Sequence, residues 1–108
     1  LGGQEKMKLL MDKLRKDPIK EIMGQHVTKT QDFLLQTESI NGQISKLEGF
    51  TQSNVLKYFL EDNTWLALRP SGTEPVVKVY VGVNKDNFSN AKQAAEDYTA
   101  AIEHILFK

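Results

Sequence analysis

The amino-acid sequence predicts an α+β fold, a small antiparallel-rich sheet with helices packed on one face. Three observations lead there. Both ends of the chain carry apolar residues at helical spacing, the strongest β-forming runs cluster between residues 55 and 83, and one run alternates valine with polar residues. Strands grouped between helices, without strict β-α-β alternation, favour a layered α+β arrangement with one face of the sheet left free.

Taken in order, Gln4 to Lys16 reads as an amphipathic helix, with Met7, Leu10, Met11 and Leu14 on one stripe. The methionines read as core filler. Lys13, Arg15 and Lys16 suit the carbonyl end of the helix dipole, and Asp17-Pro18 stops the helix because the residue before proline leaves the α region. Val27 to Thr30 predicts a short strand extending toward Phe33. The polar stretch 36–54, punctuated by Gly42 and Gly49, reads as a surface connector with at most a helical turn.

Val55 to Leu60 is a dense β-forming run, Glu61 to Thr64 supplies turn chemistry, and Trp65 to Arg69 is the returning strand. A third strand, Val76 to Val83, puts Val77, Val79, Val81 and Val83 on one face and Lys78 and Tyr80 on the other. A closing helix carries Phe88, Ala91, Ala95, Tyr98, Ile102 and Ile105 in steps of three and four, with Asp86 or Asn87 as its N-cap. Its stripe is expected to lie on the valine face.

Composition narrows the function classes. At 108 residues the chain has the length of one domain, enough for one core but not for two lobes around a cleft. Lys+Arg and Asp+Glu number 14 each, with 8 and 7 in residues 1–54 and 6 and 7 in 55–108, so no basic excess points to nucleic acid. Absent cysteine removes disulfides and thiolate zinc sites and fits a reducing compartment. No apolar run reaches the ~20 residues that span a bilayer, so no membrane partner is expected. The opening Leu1-Gly2-Gly3 in front of a helical pattern reads as the start of a fragment of a longer chain.

Two of the three prolines fall in Arg69-Pro70-Ser71-Gly72-Thr73-Glu74-Pro75, a connection too long for a two-residue hairpin turn. As a phosphate clamp, Arg69 would offer a planar, permanently charged fork, and Ser71 and Thr73 hydroxyl donors. Gly72 can take a positive φ, letting successive backbone N–H groups converge on an anion. The competing reading is a stiff surface loop whose Ser and Thr bond to the backbone, with Arg69 paired to Glu74. Glu74 would repel a phosphate and fits better as an orienting or tethering group. Lys78, one strand later, either adds a charge or is simply solvated. Ser71 has no accompanying base in the motif and is not a nucleophile. His26 and His104 lack the neighbours a metal site needs, so no catalytic or metal residue is assigned.

The heptapeptide, with a β-hairpin before it and a valine-rich strand and terminal helix after it, resembles the C-terminal domain of the α-D-phosphohexomutases, the phosphoglucomutases and phosphomannomutases. Ser53 to Tyr58, Glu61 to Leu68 and the run Lys16-Asp17-Pro18-Ile19 are similar to the same family, and residues 36–50 least so. Trp65 to Val83 resembles bacterial phosphoglucomutases more than glucosamine-type mutases. The resemblance implies a TBP-like fold without DNA binding and a cytoplasmic enzyme that interconverts hexose 1-phosphates and 6-phosphates through a hexose 1,6-bisphosphate. It also implies that Arg69, Ser71, Gly72 and Thr73 grip the phosphate that is not being transferred, with Glu74 and Lys78 in support. Sugar discrimination is implied to lie elsewhere.

Mg2+ is implied for the full-length enzyme, with its ligands outside this stretch. The family's phosphoserine, Asp-x-Asp-x-Asp and Gly-Glu-x-Ser-Gly loops are absent from the 108 residues. The resemblance therefore implies a domain that is inactive alone and acts beside the remaining domains of a parent enzyme. The alternatives are a stand-alone phosphate- or nucleotide-binding module and a structural or interaction domain.

Overall fold

In a computed structural model of the chain, residues 3–72, 74, 76–83 and 91–106 are described. Helix α1 runs Gly3–Lys16, followed by strands β1 (Glu21–Ile22), β2 (Gln25–Asp32), β3 (Thr37–Ile40), β4 (Gln43–Lys46), β5 (Leu56–Leu60), β6 (Trp65–Pro70) and β7 (Val77–Gly82), and helix α2 spans Ala91–Leu106. The strands form one sheet in the order β4-β3-β2-β5-β6-β7, with β1 on β2 off that path. Every pairing is antiparallel. The α+β architecture is the one the periodicities predict.

Alternation sorts the sheet into two faces, because directly opposed residues of an antiparallel pair point the same way. Leu56 opposes Leu68, which opposes Val79, and Tyr58 opposes Leu66, which opposes Val81. These residues meet Met11 and Leu14 of α1 and Tyr98, Ile102 and Leu106 of α2 in a single core. The valine face is thus the helix-covered one. On α2 the buried stripe is Ala94, Tyr98, Ile102 and Leu106, with Ala95 and Ile105 only partly covered. The stripe keeps the expected Tyr98 and Ile102 but runs in steps of four, with Ala94 and Leu106 in place of Ala95 and Ile105. Phe88 and the candidate caps Asp86 and Asn87 lie outside the described residues.

Residues 37–46 correct the expectation of a connector over 36–54: they form the β3–β4 hairpin. Its turn is Asn41-Gly42, both at positive φ (52° and 85°), the geometry a two-residue hairpin requires. The hairpin lies at the sheet edge, and β4 is exposed along its whole length. With neither face of β4 buried, apolar alternation had no reason to appear in the sequence.

Two polar clusters pin the layers together. Arg15 at the end of α1 donates from Nε to Asp32 Oδ2 at 2.9 Å and from Nη2 to Asn54 Oδ1 at 2.8 Å. Asp32 Oδ1 accepts the Leu34 and Leu35 backbone N–H groups at 3.0 and 3.1 Å. Beside this cluster, burial raises the Tyr58 phenol well above its ordinary value, against the lowering by Arg15 and with a further raise from Asp32. At the other end, Gln25 Nε2 donates to Tyr98 Oη at 2.6 Å and to Asp62 Oδ2 at 3.1 Å, tying β2 to α2 and to the β5–β6 turn. Burial works against the Asp62 charge, but hydrogen bonds from Thr64 and Gln25 outweigh it and lower the carboxyl pKa.

Candidate functional site

The free face of the sheet is built from the alternate residues. Arg69 opposes Lys78, Ala67 opposes Tyr80, and Trp65 opposes Gly82 across β6 and β7. Lys57 opposes Ala67 and Phe59 opposes Trp65 on β5, while Gln31 and Lys29 continue these rows on β2. Lys29 reaches this face because of a bulge at Thr28, where the register shifts between Val27 and Lys29. Val27 remains buried in the core.

Arg69 and Lys78 stand opposite one another at the end of β6 and β7 nearest the loop, and both are exposed. Like charges directly opposed on neighbouring strands repel. Neither is offset by an ion pair among the described residues, whose pairs are Arg15–Asp32, Lys29–Glu38 and Lys46–Glu48. The Arg69–Glu74 pairing considered from the sequence is not formed. Glu74 is exposed, and its backbone N–H donates to Ser71 Oγ at 3.2 Å.

Ser71 is buried and braces the loop. Its N–H donates to the Val76 carbonyl at 2.9 Å, and the Val76 N–H donates to the Glu74 carbonyl at 2.8 Å. The Ser71 N–H is therefore committed inside the loop. Gly72 is exposed and does not have the positive φ proposed for a nest, so left-handed backbone is not the reason for glycine here. A Cβ at this position would meet nothing within 4 Å. Neither backbone strain nor packing demands glycine at 72, and the space beside it is open. Thr73 lies outside the described residues, as does Pro75. Among the described residues no three His, Asp or Glu side chains gather where they could hold a metal ion. No described helix is long and apolar enough to cross a membrane.

The arrangement offers two cations, an open backbone at Gly72 and a loop shaped by its own hydrogen bonds, which suits an anion. Sequence reasoning singled out Arg69, Ser71, Gly72, Glu74 and Lys78, and the fold brings them together at one end of β6 and β7. It passed over the neighbouring row of Lys57, Ala67 and Tyr80 and the indole of Trp65. The signal was present as alternation in Trp65-Leu66-Ala67-Leu68-Arg69, where every second residue is a buried leucine.

Known proteins resemble the chain over most of its length. Residues 7–102 match the model of the phosphoglucomutase/phosphomannomutase C-terminal domain. The chain is 35% identical over 94 residues to a phosphoglucomutase of Staphylococcus aureus (strain bovine RF122 / ET3-1), covering 86% of this chain and 17% of that protein. It is 34% identical over 97 residues to a phosphoglucomutase of Staphylococcus haemolyticus (strain JCSC1435), covering 89% of this chain and 18% of that one. The chain thus spans less than a fifth of the length of these relatives. No solved structure matches it at a significant level. With the matched region running from α1 into the last turns of α2, the chain belongs to the phosphoglucomutase/phosphomannomutase C-terminal domain family.

Proposed function

We propose that this domain holds the non-transferring phosphate of a hexose phosphate, as the C-terminal part of a longer phosphohexomutase that interconverts hexose 1-phosphates and 6-phosphates. The observation that carries the reading is the opposed pair Arg69 and Lys78 at the loop, two cations on one face without a carboxylate between them. A phosphate dianion seated there turns a repulsive pair into two charge-assisted contacts. Gly72 lets the ligand approach the backbone, while Ser71 keeps the loop in shape. Thr73 is assigned to the same phosphate by its place in the motif.

The domain's contribution to the reaction is positional. Energy from a phosphate that does not react is available to orient the one that does. A clamp reading only a dianion accepts a hexose bisphosphate in either orientation, which a reaction passing through such an intermediate requires. Mg2+ would be held by other parts of the parent chain, since the residues described here supply no ligand set.

The test is a titration of the 108-residue chain with inorganic phosphate, followed by backbone amide resonances. The largest shifts are expected at Gly72 and its neighbours, and Arg69→Ala should abolish them. Gly72→Ala provides a separate check, because its side chain enters open space: stability should hold while phosphate affinity falls. In the full-length enzyme, Arg69→Ala should cost roughly 2–5 kcal/mol in kcat/KM. Normal kcat/KM with a folded domain would overturn the assignment.

A further inference from the structure

Strand β2 is paired twice in succession: Gln25 and His26 meet β1, and Lys29 to Asp32 meet β3. Between the two pairings lies the bulge at Thr28, where the register against β5 shifts. A bulge opens the ladder locally, and here it adjoins a hollow of about 360 Å³. One wall is the connector Pro18-Ile19-Lys20, which leads from α1 to β1. The other is Ser39 with the Asn41-Gly42 turn, and β2 is the floor. The volume is at the small end of the ~300–1,000 Å³ typical of ligand pockets. The hollow is remote from Arg69. β2 and β6 both run antiparallel to β5, so the end of β2 nearest the loop is Asp32, and His26 is at the opposite end.

The polar groups around the hollow are donors without partners. Thr30 opposes Ser39 on the side of the sheet that Tyr58 occupies, and both are half-buried. The helices pack chiefly on β1, β6 and β7, which leaves this pair partly open. Lys20 and His26 are exposed at the mouth. Among the described residues, none of these four side chains forms a hydrogen bond or an ion pair. Lys29 also lines the hollow, but its ammonium is committed elsewhere, 4.3 Å from the Phe59 ring centroid and 3.9 Å from Glu38 Oε1. No described Asp or Glu lines it. Glu21, which opposes His26 on β1, is exposed and forms no ion pair with it. Pro18, Ile19 and Val27 make the rest of the lining apolar.

We propose that this hollow is a second binding site, for a small organic dianion, separate from the phosphate site at Arg69. Ammonium, imidazole and hydroxyl donors with no carboxylate among them select a ligand that only accepts hydrogen bonds. An anionic oxygen seated at Thr30 and Ser39 takes the two hydroxyl protons, and Lys20 and His26 close over its charge. The apolar wall favours a short carbon body over a bare inorganic ion. The bound molecule joins the α1–β1 connector to the β3–β4 hairpin, two segments with no backbone pairing to each other among the described residues. It therefore acts as an effector that stiffens this edge of the domain.

A dicarboxylate and a phosphate monoester share this chemistry, and the test separates them. The 108-residue chain is titrated at constant ionic strength with succinate, with glycerol 2-phosphate and with uncharged glycerol. The readouts are the Thr28 and Gly42 amides, the His26 ring and, for the other site, the Gly72 amide. At least one anion should shift the first three saturably with a Kd below ~10 mM, while glycerol shifts none. The tighter of the two anions names the class. Lys20→Gln should weaken that binding about three- to tenfold and Thr30→Val about threefold, and Arg69→Ala should leave it unchanged. Lys20 is exposed, so its variant removes a charge without touching the core.

Shifts at Thr28, Gly42 and His26 that do not saturate below ~10 mM, or that glycerol reproduces, overturn the site. Binding that disappears in Arg69→Ala does the same, since the anion would then occupy only the loop. Binding that neither Lys20→Gln nor Thr30→Val weakens also overturns it.

Discussion

Replacing Asp32 with Ala removes one carboxylate on which three donors converge. The Arg15 Nε lies at 2.9 Å, and the Leu34 and Leu35 amides lie at 3.0 and 3.1 Å. The Arg15 and Asp32 side chains are only 11% and 10% exposed, so a guanidinium left behind cannot be fully rehydrated. Removing one partner of a buried pair costs about 3–5 kcal/mol. Arg15 keeps its bond to Asn54 at 2.8 Å, which places the expected loss near the lower end, at about 3 kcal/mol. A domain of this length is stable by roughly 5–16 kcal/mol, so the variant should fold but with far less reserve.

Equilibrium urea denaturation, followed by Trp65 emission and by circular dichroism, measures the loss. With a slope of ~1.5 kcal/mol per molar urea, the midpoint should fall by about 2 M. Asp32→Asn, which keeps an acceptor for the two amides but not the charge, should fall between. Lys46–Glu48 serves as the internal control, with its side chains 79% and 74% exposed and 3.5 Å apart. Glu48→Gln should leave the midpoint unmoved, because an exposed pair contributes little. A shift of less than ~0.5 M in Asp32→Ala would show that its pair behaves like the exposed one, and the reasoning from burial would fail.

Tyr58 Oη is buried without a hydrogen-bond partner among the described residues, so Tyr58→Phe should raise stability by about 1 kcal/mol, and a loss of that size would reveal an overlooked partner. The raised Tyr58 pKa also sets an alkaline limit. The unfolded chain loses this proton near pH 10 while the folded chain retains it, so stability is intact below pH ~10 and falls above it, and the Tyr58 part of that fall should vanish in Tyr58→Phe. Gly82→Ala drives a methyl into the Trp65 ring and should cost ~1–3 kcal/mol with a shift in Trp65 emission. Unchanged emission and stability in that variant would mean that the indole is not held as described.

What could be read in advance depended on whether burial left a mark on the sequence. Met7, Met11 and Leu14, and the valines of β7, sit where helical and strand periods put them because each faces the core. The β3–β4 hairpin carries no such mark, since Thr37 to Lys46 is at best half-buried. Its only strong signal was the Asn41-Gly42 turn. At the site, residue types pointed to an anion, yet two assignments depended on geometry that composition does not contain. Gly72 proved to be needed neither for a left-handed backbone nor for packing, and Arg69 faces Lys78 rather than Glu74.

The strand order β4-β3-β2-β5-β6-β7 also separates what the domain can vary from what it must keep. The β3–β4 hairpin enters the chain between β2 and β5, which pair directly with each other. Four strand spacings, about 19 Å, part β4 from β6. Lengthening a loop raises its closure cost only slowly, by about 0.6 kcal/mol per doubling. Insertions, deletions or tags at Asn41-Gly42 should therefore be absorbed at the far edge of the sheet. The outline of this domain can drift there while the Arg69 end stays fixed, which makes the hairpin tip the natural attachment point for a probe that must not disturb the proposed phosphate site.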